Sequence, residues 1–251
     1  MRGIIARRIL ANYHLDPAVA RKVIPEPFVP KLVDGHAIGG ICLIRLESVR
    51  PSFLPSAIGL SSENAAHRFA VEWKDGNVIR EGVFVPRRDS SSRFNAAIGG
   101  LLFPGIHHLA DFDTTDTGDR LSVSCSSRDG ETRVSVEGGV ASALPPCSIF
   151  SSVDSASAFF SRGALSYSNT NVEGVYDGLE LRVDKWHVDA LDTREVESTF
   201  FENTTLFPRG SIGFDCALLM RNISHEWHTR QQLHVSRIRE PVERAALLKS
   251  R

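Results

Sequence analysis

Two groups of histidines are the first residues whose types and spacing could do chemistry. His107 and His108 are adjacent, whereas His225 and His228 form a His-x-x-His spacing. Residues three apart share one face of a helix and can bind one metal ion there, but on a strand they point to opposite faces. The apolar run before His225 is typical of a strand. We therefore predict no metal site, and a metal-dependent enzyme stays an alternative.

One carboxylate and one arginine also have the types that catalysis uses. Glu63 lies between small residues at the start of a predicted buried strand, where burial would raise the pKa of a carboxyl group. Arg93 follows three serines near the start of a predicted helix, and an arginine there could bind a substrate carboxylate through two hydrogen bonds. For both residues, exposure to water at the surface is the alternative interpretation.

Composition limits the kinds of partner. The chain has 251 residues, 42% of them hydrophobic and 24% charged, with a formal net charge of -1. Such a chain is typical of soluble globular proteins and has no general attraction for nucleic acid or an anionic membrane. It contains no glycine-rich phosphate loop, so no cofactor is predicted.

The N-terminal residues and the spacing of the cysteines predict the cellular compartment. The first residues show no signal-peptide pattern, and no apolar stretch approaches the roughly 20 residues that span a bilayer. The four cysteines are far apart, which is typical of buried thiols in a reducing cytoplasm. We predict a cytoplasmic protein with one domain over residues 1–251.

Local patterns predict the elements that must position these residues. Asp16 and Pro17 start a helix of about two turns, and residues 37–46 form a buried strand. Asp-Gly turns predict two β-hairpins, over residues 67–85 and 121–136. The remaining predictions are helices at 93–104 and 152–162, a solvated loop at 111–119, strands at 179–191, 195–201 and 215–223, and a helical or frayed tail at about 239–251.

Strands outnumber helices in this pattern, and hairpins dominate it. A mainly antiparallel sheet that closes into a barrel, with a few short helices packed on it, is the architecture that such a pattern favours. The predicted fold class is therefore mainly β (α+β).

Residues 16–28 carry a resemblance to a known family. They read Asp-Pro-Ala-Val-Ala-Arg-Lys-Val-Ile-Pro-Glu-Pro-Phe. This segment resembles the N-terminal segment of acetoacetate decarboxylase, and the likeness extends more diffusely from Arg8 to His228. In it, Glu63 and Asn64 correspond to the entry of a core strand, and residues 93–104 correspond to the active-site helix. The resemblance implies a cone-like or double β-barrel fold with a small-molecule cavity, in a homo-oligomer (a dimer or higher).

The chain departs from that family at its reactive lysine. In the decarboxylase, a lysine just after the proline that ends the helix forms a Schiff base with a keto acid. Here Pro104 is followed by Gly-Ile-His-His, and the whole chain has only five lysines. Lys185 alone shares an alternating face with apolar residues and could point inward, whereas an edge-strand lysine is the alternative. The resemblance is thus to a branch of the acetoacetate decarboxylase-like superfamily that lacks the Schiff-base lysine.

The function expected from this resemblance is the binding of a small organic acid or keto acid in the barrel cavity. If the protein is an enzyme, it would be of the lyase type and work without an imine. His107 or His108 would be the general acid or base, Glu63 would assist, and Arg93 would bind the acid group. The alternative is a non-catalytic ligand-binding or regulatory module. The expected partners are the small acid and further copies of the chain, with no nucleic acid and no membrane.

Overall fold

β-Strands dominate the computed structural model, which describes residues 1–93 and 104–235. Within these ranges the helices are α1 (Pro17–Val23), α2 (Val153–Ser161) and a 3₁₀ turn at Ser56–Ile58. The strands are β1 (Arg2–Leu15), β2 (Val29–Pro30), β3 (Leu32–Val33), β4 (His36–Arg50), β5 (Leu60–Asp75), β6 (Val78–Ser90), β7 (His107–Asp116), β8 (Arg120–Ser127), β9 (Arg133–Ala141), β10 (Leu165–Asn169), β11 (Val175–Val183), β12 (Asp189–Ser198) and β13 (Ile212–His234).

The hydrogen-bonded strands close into two rings. The first ring runs β1–β4–β5–β6–β10–β11–β13 and returns to β1. The second runs β1–β4–β5–β6–β7–β8–β9–β12–β13 and also returns to β1. Strand β6 pairs in parallel with β10 and β7, while the other described pairs are antiparallel. The predicted mainly β architecture with a double barrel is confirmed.

The strands that both rings share are buried on both faces. Side chains alternate along a strand, and in β4 Ile41 and Leu43 pack in one hydrophobic cluster while Cys42 and Ile44 pack in another. In β1 the same alternation places Ile9 in the first cluster and Leu10 in the second. A strand buried on both faces has an almost continuous apolar sequence, which explains the run at 37–46.

The N-terminal helix forms as the sequence predicts. The Asp16 side chain accepts a hydrogen bond of 2.7 Å from the backbone N–H of Ala18, and Pro17 occupies the first helical turn, where no N–H is needed. The helix ends before Pro25, and Phe28 is fully buried against Trp73 and Tyr176. The segment that carries the family resemblance is therefore anchored in the core by its last residue.

Both predicted hairpins are present, as β5 with β6 and β8 with β9. The buried strand at 37–46, the helix at 152–162 and the strand at 215–223 are also confirmed, as β4, α2 and β13. The sequence analysis did not predict β1, in which arginines interrupt the apolar pattern.

Three strand and loop predictions were wrong in part. The strand predicted over 179–191 is interrupted between β11 and β12, and β12 ends at Ser198 rather than at residue 201. The segment predicted as a loop at 111–119 belongs to β7 as far as Asp116. Its exposed aspartates alternate with Ala110 and Phe112, which pack inward. The acidic composition predicted a loop because it reflects only the solvent-facing side of this strand.

Two predictions lie outside the described residues, namely most of the helix at 93–104 and the tail at 239–251. The single domain over 1–251 stays a prediction. None of the helices in the described ranges is long and apolar enough to cross a membrane.

A buried histidine makes the stability of this fold depend on pH. His67 in β5 has no exposed surface, and its Nε2 lies 3.1 Å from Ser198 Oγ. Burial, with a smaller contribution from the Arg87 charge, lowers the pKa of His67 from 6.5 to about 3. Burial likewise lowers the pKa of His225 to about 4.

We expect the free energy of unfolding to be highest above pH 6.5 and to fall as the pH drops towards 3. In that window the unfolded chain binds a proton that folded His67 does not, so each such histidine adds about 1.4 kcal/mol per pH unit. Urea unfolding at several pH values measures this slope. His67→Gln should reduce the slope, and His228→Gln, at an exposed site, should not. Equal slopes in the wild type and His67→Gln would contradict the assignment.

Candidate functional site

A cavity of about 110 Å³ lies inside the first ring. Every strand of that ring contributes to its lining. One water molecule takes up roughly 30 Å³ of liquid, so this space exceeds a site for a single ordered water. The polar lining consists of Arg8, Cys42, Asn64, Arg68, Arg88, Asp89, His107 and Ser166. Much of the remaining lining is apolar and includes Ile44, Leu46, Val83, Val85, Leu179, Leu181 and Trp227.

Arg8 reaches the cavity from β1, and its hydrogen bonds go to sulfur atoms. Its Nε donates to Cys42 Sγ at 3.2 Å, and Nη1 lies 4.0 Å from Met220 Sδ. The guanidinium also lies 5.9 Å from the centre of the Trp186 ring. These partners hold the side chain in place without neutralising its charge.

Arg68 and Arg88 enter the cavity from β5 and β6, and both bond to neutral groups. Arg68 Nη2 donates to Asn12 Oδ1 at 2.6 Å, and its buried Nε has no hydrogen-bond partner among the described residues. Arg88 Nε donates to Ser168 Oγ at 2.9 Å. Burial lowers the pKa of each guanidinium to about 10, so both remain protonated at neutral pH.

The cavity therefore carries three positive charges that no carboxylate of the described residues balances. Within residues 1–93 and 104–235, Arg8, Arg68 and Arg88 form no ion pair. Asp89 also contributes to the lining, but its carboxylate is 1% exposed and accepts two hydrogen bonds from Arg87, at 2.9 and 3.2 Å. Buried charges are normally paired, so this arrangement favours an anionic ligand.

A smaller cavity of about 30 Å³ adjoins the first and shares Arg8, Arg68 and Val83 with it. Lys31 lines this second space, where it pairs with Glu81 and lies 4.7 Å from the centre of the Phe159 ring. The described lining of the larger cavity contains no lysine.

His107 is the sequence-predicted residue that reaches the cavity. It begins β7, two residues after Gly105, whose φ of +93° suits glycine and whose N–H donates to Asp177 Oδ2 at 2.9 Å. Burial lowers the pKa of His107 to about 4, and the nearby Arg88 charge acts in the same direction. The imidazole is thus neutral near pH 7.

The other predicted site residues do not join His107. His108 points away from the cavity and pairs through Nδ1 with Asp129 Oδ2 at 3.0 Å. Arg93 is exposed and does not line the cavity. Lys185 is also exposed, in the segment that separates β11 from β12, so the inward direction that strand alternation left open does not occur.

Glu63 is buried, so of the two interpretations left open by the sequence the surface-exposed one does not hold, but Glu63 lies away from the cavity. Its carboxylate lies 2.7 Å from Arg7 Nη2 and 3.2 Å from Arg45 Nη1. Asn64 and Arg68, which do line the cavity, project from the other face of β5. The burial of Glu63 is therefore compensated by two arginines, and these contacts give it a structural position.

Comparisons with known proteins identify a family. Residues 5–211 match DUF2071, a family described as an uncharacterized conserved protein. This chain belongs to the DUF2071 family. No curated protein sequence matches it.

Solved structures show the fold of this DUF2071 protein. It is similar to an acetoacetate decarboxylase from Legionella pneumophila, at 12% identity and a TM-score of 0.58, over 94% of this chain and 86% of that one. It is also similar to an acetoacetate decarboxylase-like enzyme from Sphingomonas wittichii RW1, at 13% identity and a TM-score of 0.54, over 93% and 92% of the two chains. A third similar structure is the enduracididine biosynthesis enzyme MppR complexed with pyruvate, at 12% identity and a TM-score of 0.54, over 89% and 87%. The acetoacetate decarboxylase-like fold that the sequence resemblance implied is confirmed.

Sequence reasoning missed the three cavity arginines of the DUF2071 protein. Each is the second residue of a polar pair within a strand, as in Arg7-Arg8, His67-Arg68 and Arg87-Arg88. Because neighbouring residues of a strand face opposite sides, one member of each pair must point to each face. The signal was present, but the sequence alone does not show which face surrounds a cavity.

We expect Glu63→Gln to lower the free energy of unfolding by up to about 3–5 kcal/mol, because it removes the ion-pair partner of buried Arg7 and leaves it only the weaker interaction with Asp116. Urea unfolding measures this loss. The matched control is Glu47→Gln, which removes the exposed pair of Glu47 with Arg45 and should cost at most about 1 kcal/mol. Equal effects of the two variants would show that Glu63 has no such structural position.

Proposed function

We propose that this DUF2071 protein binds a small organic acid, most specifically a keto acid, in the cavity of the first ring. The observation that carries the proposal is the group of three guanidiniums, Arg8, Arg68 and Arg88, that no carboxylate of the described chain balances. A bound carboxylate would supply the missing negative charge.

Guanidinium chemistry supports a carboxylate as the anchored group. The planar guanidinium presents parallel N–H donors that match the two oxygens of a carboxylate. The buried Nε of Arg68 has no hydrogen-bond partner in the part of the chain that the structure describes, and burying such a donor costs free energy unless a ligand accepts from it. The Arg68 Nε–H would therefore be available to donate a hydrogen bond to a bound acid.

The size and the apolar wall of the cavity support a short carbon skeleton behind the carboxylate. Leu46, Val83 and Leu181 are among the aliphatic residues that face the same space as the arginines. MppR, a structurally similar protein, has been crystallised with pyruvate, and that likeness motivates the choice of a keto acid.

Catalysis without an imine is the more specific form of the proposal. His107 is neutral near pH 7 and lines the cavity, so it would accept a proton from the bound acid or from its carbon skeleton. Outside the cavity, Glu63 forms an ion pair with Arg7 and His108 contacts Asp129, and the proposal assigns proton transfer to His107 alone. The proposal assigns the binding of the acid group to the cavity arginines and not to Arg93.

A binding or regulatory module is the second candidate, and the absence of lysine from the described lining of the first-ring cavity favours it. Exchange of ligand C–H hydrogens with deuterated water separates the two candidates. An exchange that is lost in His107→Gln supports the enzyme, and binding without exchange supports the module.

The homo-oligomer and the cytoplasmic location stay predictions. Exposed apolar side chains between β4 and the start of β5, at Phe53, Ile58 and Leu60, are compatible with contacts between copies of the chain.

We expect pyruvate and acetoacetate to raise the melting temperature, whereas the neutral compounds pyruvamide and acetone should not. A ligand at about 100 times its Kd stabilises the folded state by about 2.7 kcal/mol. Arg88→Gln should abolish most of the shift because it removes one of the three charges. Arg120→Gln, which removes an exposed arginine far from the lining, is the matched control and should keep it. Equal shifts for pyruvate and pyruvamide would refute charge recognition.

A further inference from the structure

One thiol, that of Cys42, lies inside the arginine-lined cavity. Cys42 is 7% exposed, belongs to β4 and contributes to the lining. Its sulfur accepts a hydrogen bond of 3.2 Å from Arg8 Nε. Arg68 and Arg88 line the same cavity. The sulfur therefore shares this cavity with three guanidiniums, one of which donates to it directly.

Positive charge beside a cysteine changes its chemistry. The thiolate is the nucleophilic form of a cysteine, and neighbouring cations stabilise it relative to the thiol. Reactive cysteines accordingly occur in electropositive, partly accessible surroundings, whereas cysteines buried in apolar surroundings are inert. Cys42 packs in a hydrophobic cluster, but its sulfur lines the cavity and accepts the hydrogen bond from Arg8, which gives it a cationic neighbour.

The other three cysteines provide contrasts within the same chain. Burial raises the pKa of Cys125 to about 12, and burial also raises the pKa of Cys216. Cys147 is exposed and does not line the cavity. The chain thus contains one charged-cavity thiol, two shielded thiols and one ordinary surface thiol.

A second observation indicates that a ligand sits next to Cys42. Arg68 is only 5% exposed, lines the same cavity, and its buried Nε has no hydrogen-bond partner among the described residues. A carboxylate that accepts from this donor would bring the atoms attached to it close to the other lining groups, of which the Cys42 sulfur is the nucleophile.

We propose that Cys42 adds to the ketone carbonyl of a keto acid bound by the three arginines, which gives a reversible hemithioketal. This inference rests on the proposed function, and it adds a covalent step to it. The sulfur forms a bond to the carbonyl carbon, the carbonyl π pair moves to oxygen, and the thiol proton ends on that oxygen. His107 lines the same cavity and can carry the proton between the two atoms. No oxidant, reductant or second substrate is needed.

Alkylation with two reagents of similar size but different charge tests the reactivity of the thiol. Iodoacetate carries a carboxylate and iodoacetamide does not, and peptide mass spectrometry follows each cysteine separately. We expect the ratio of iodoacetate to iodoacetamide rates to be at least roughly tenfold higher at Cys42 than at Cys147, because the arginines bind the carboxylate. Pyruvate should slow the labelling of Cys42 and leave Cys147 unchanged. Arg8→Gln should lower the ratio at Cys42 only.

Nuclear magnetic resonance with pyruvate labelled with ¹³C at the carbonyl carbon tests the covalent step. The wild-type protein should give a protein-bound tetrahedral-carbon signal that is distinct from the signal of free pyruvate hydrate, and Cys42→Ser should not. Retention of that signal in Cys42→Ser would overturn the inference. So would a Cys42 that neither reagent labels, or whose rate ratio equals that of Cys147.

These outcomes are separate from those that test the proposed function. If pyruvate raises the melting temperature through the arginines but gives no protein-bound tetrahedral-carbon signal, the covalent step fails and acid binding stands. If pyruvate neither raises the melting temperature nor protects Cys42, both fail.

Discussion

The structure depends on strands that are buried on both faces. β1, β4 and β13 belong to both rings, so along their buried stretches the side chains alternate between two interiors. A shift of register by one residue would exchange the two sets of side chains, which makes the register strongly specified. The same constraint sorts the polar pairs. Arg7 meets Glu63 on one side of the sheet, while Arg8 enters the cavity on the other.

This constraint also explains how a cavity can hold three unbalanced arginines. Hydrogen bonds to neighbours on both sides fix the backbones of β1, β5 and β6, and these backbones place the three arginines around one cavity. The stability of the whole barrel offsets the cost of burying these charges, including the repulsion between Arg8 and Arg68. Functional sites commonly store unfavourable interactions of this kind, which ligand binding relieves.

Local sequence signals predicted most of the elements and part of the site. The Asp16 cap and the Asp-Gly turns act within a few residues, so the sequence was sufficient to predict α1 and the hairpins. β1 and the functional face of β5 depend on contacts between distant strands, which no local pattern contains. His107 was predicted from its place after Pro104, whereas Arg8, Arg68 and Arg88 were missed because only ring closure shows which face encloses the cavity.

A crystal structure of the protein with saturating pyruvate tests the central claim most directly, which is that the arginine-lined cavity is an organic-acid site. The account predicts electron density for pyruvate in this cavity, with its carboxylate oxygens about 3 Å from the nitrogens of at least two of Arg8, Arg68 and Arg88. Pyruvate bound only elsewhere, or a cavity that contains only water at saturating pyruvate, would contradict it.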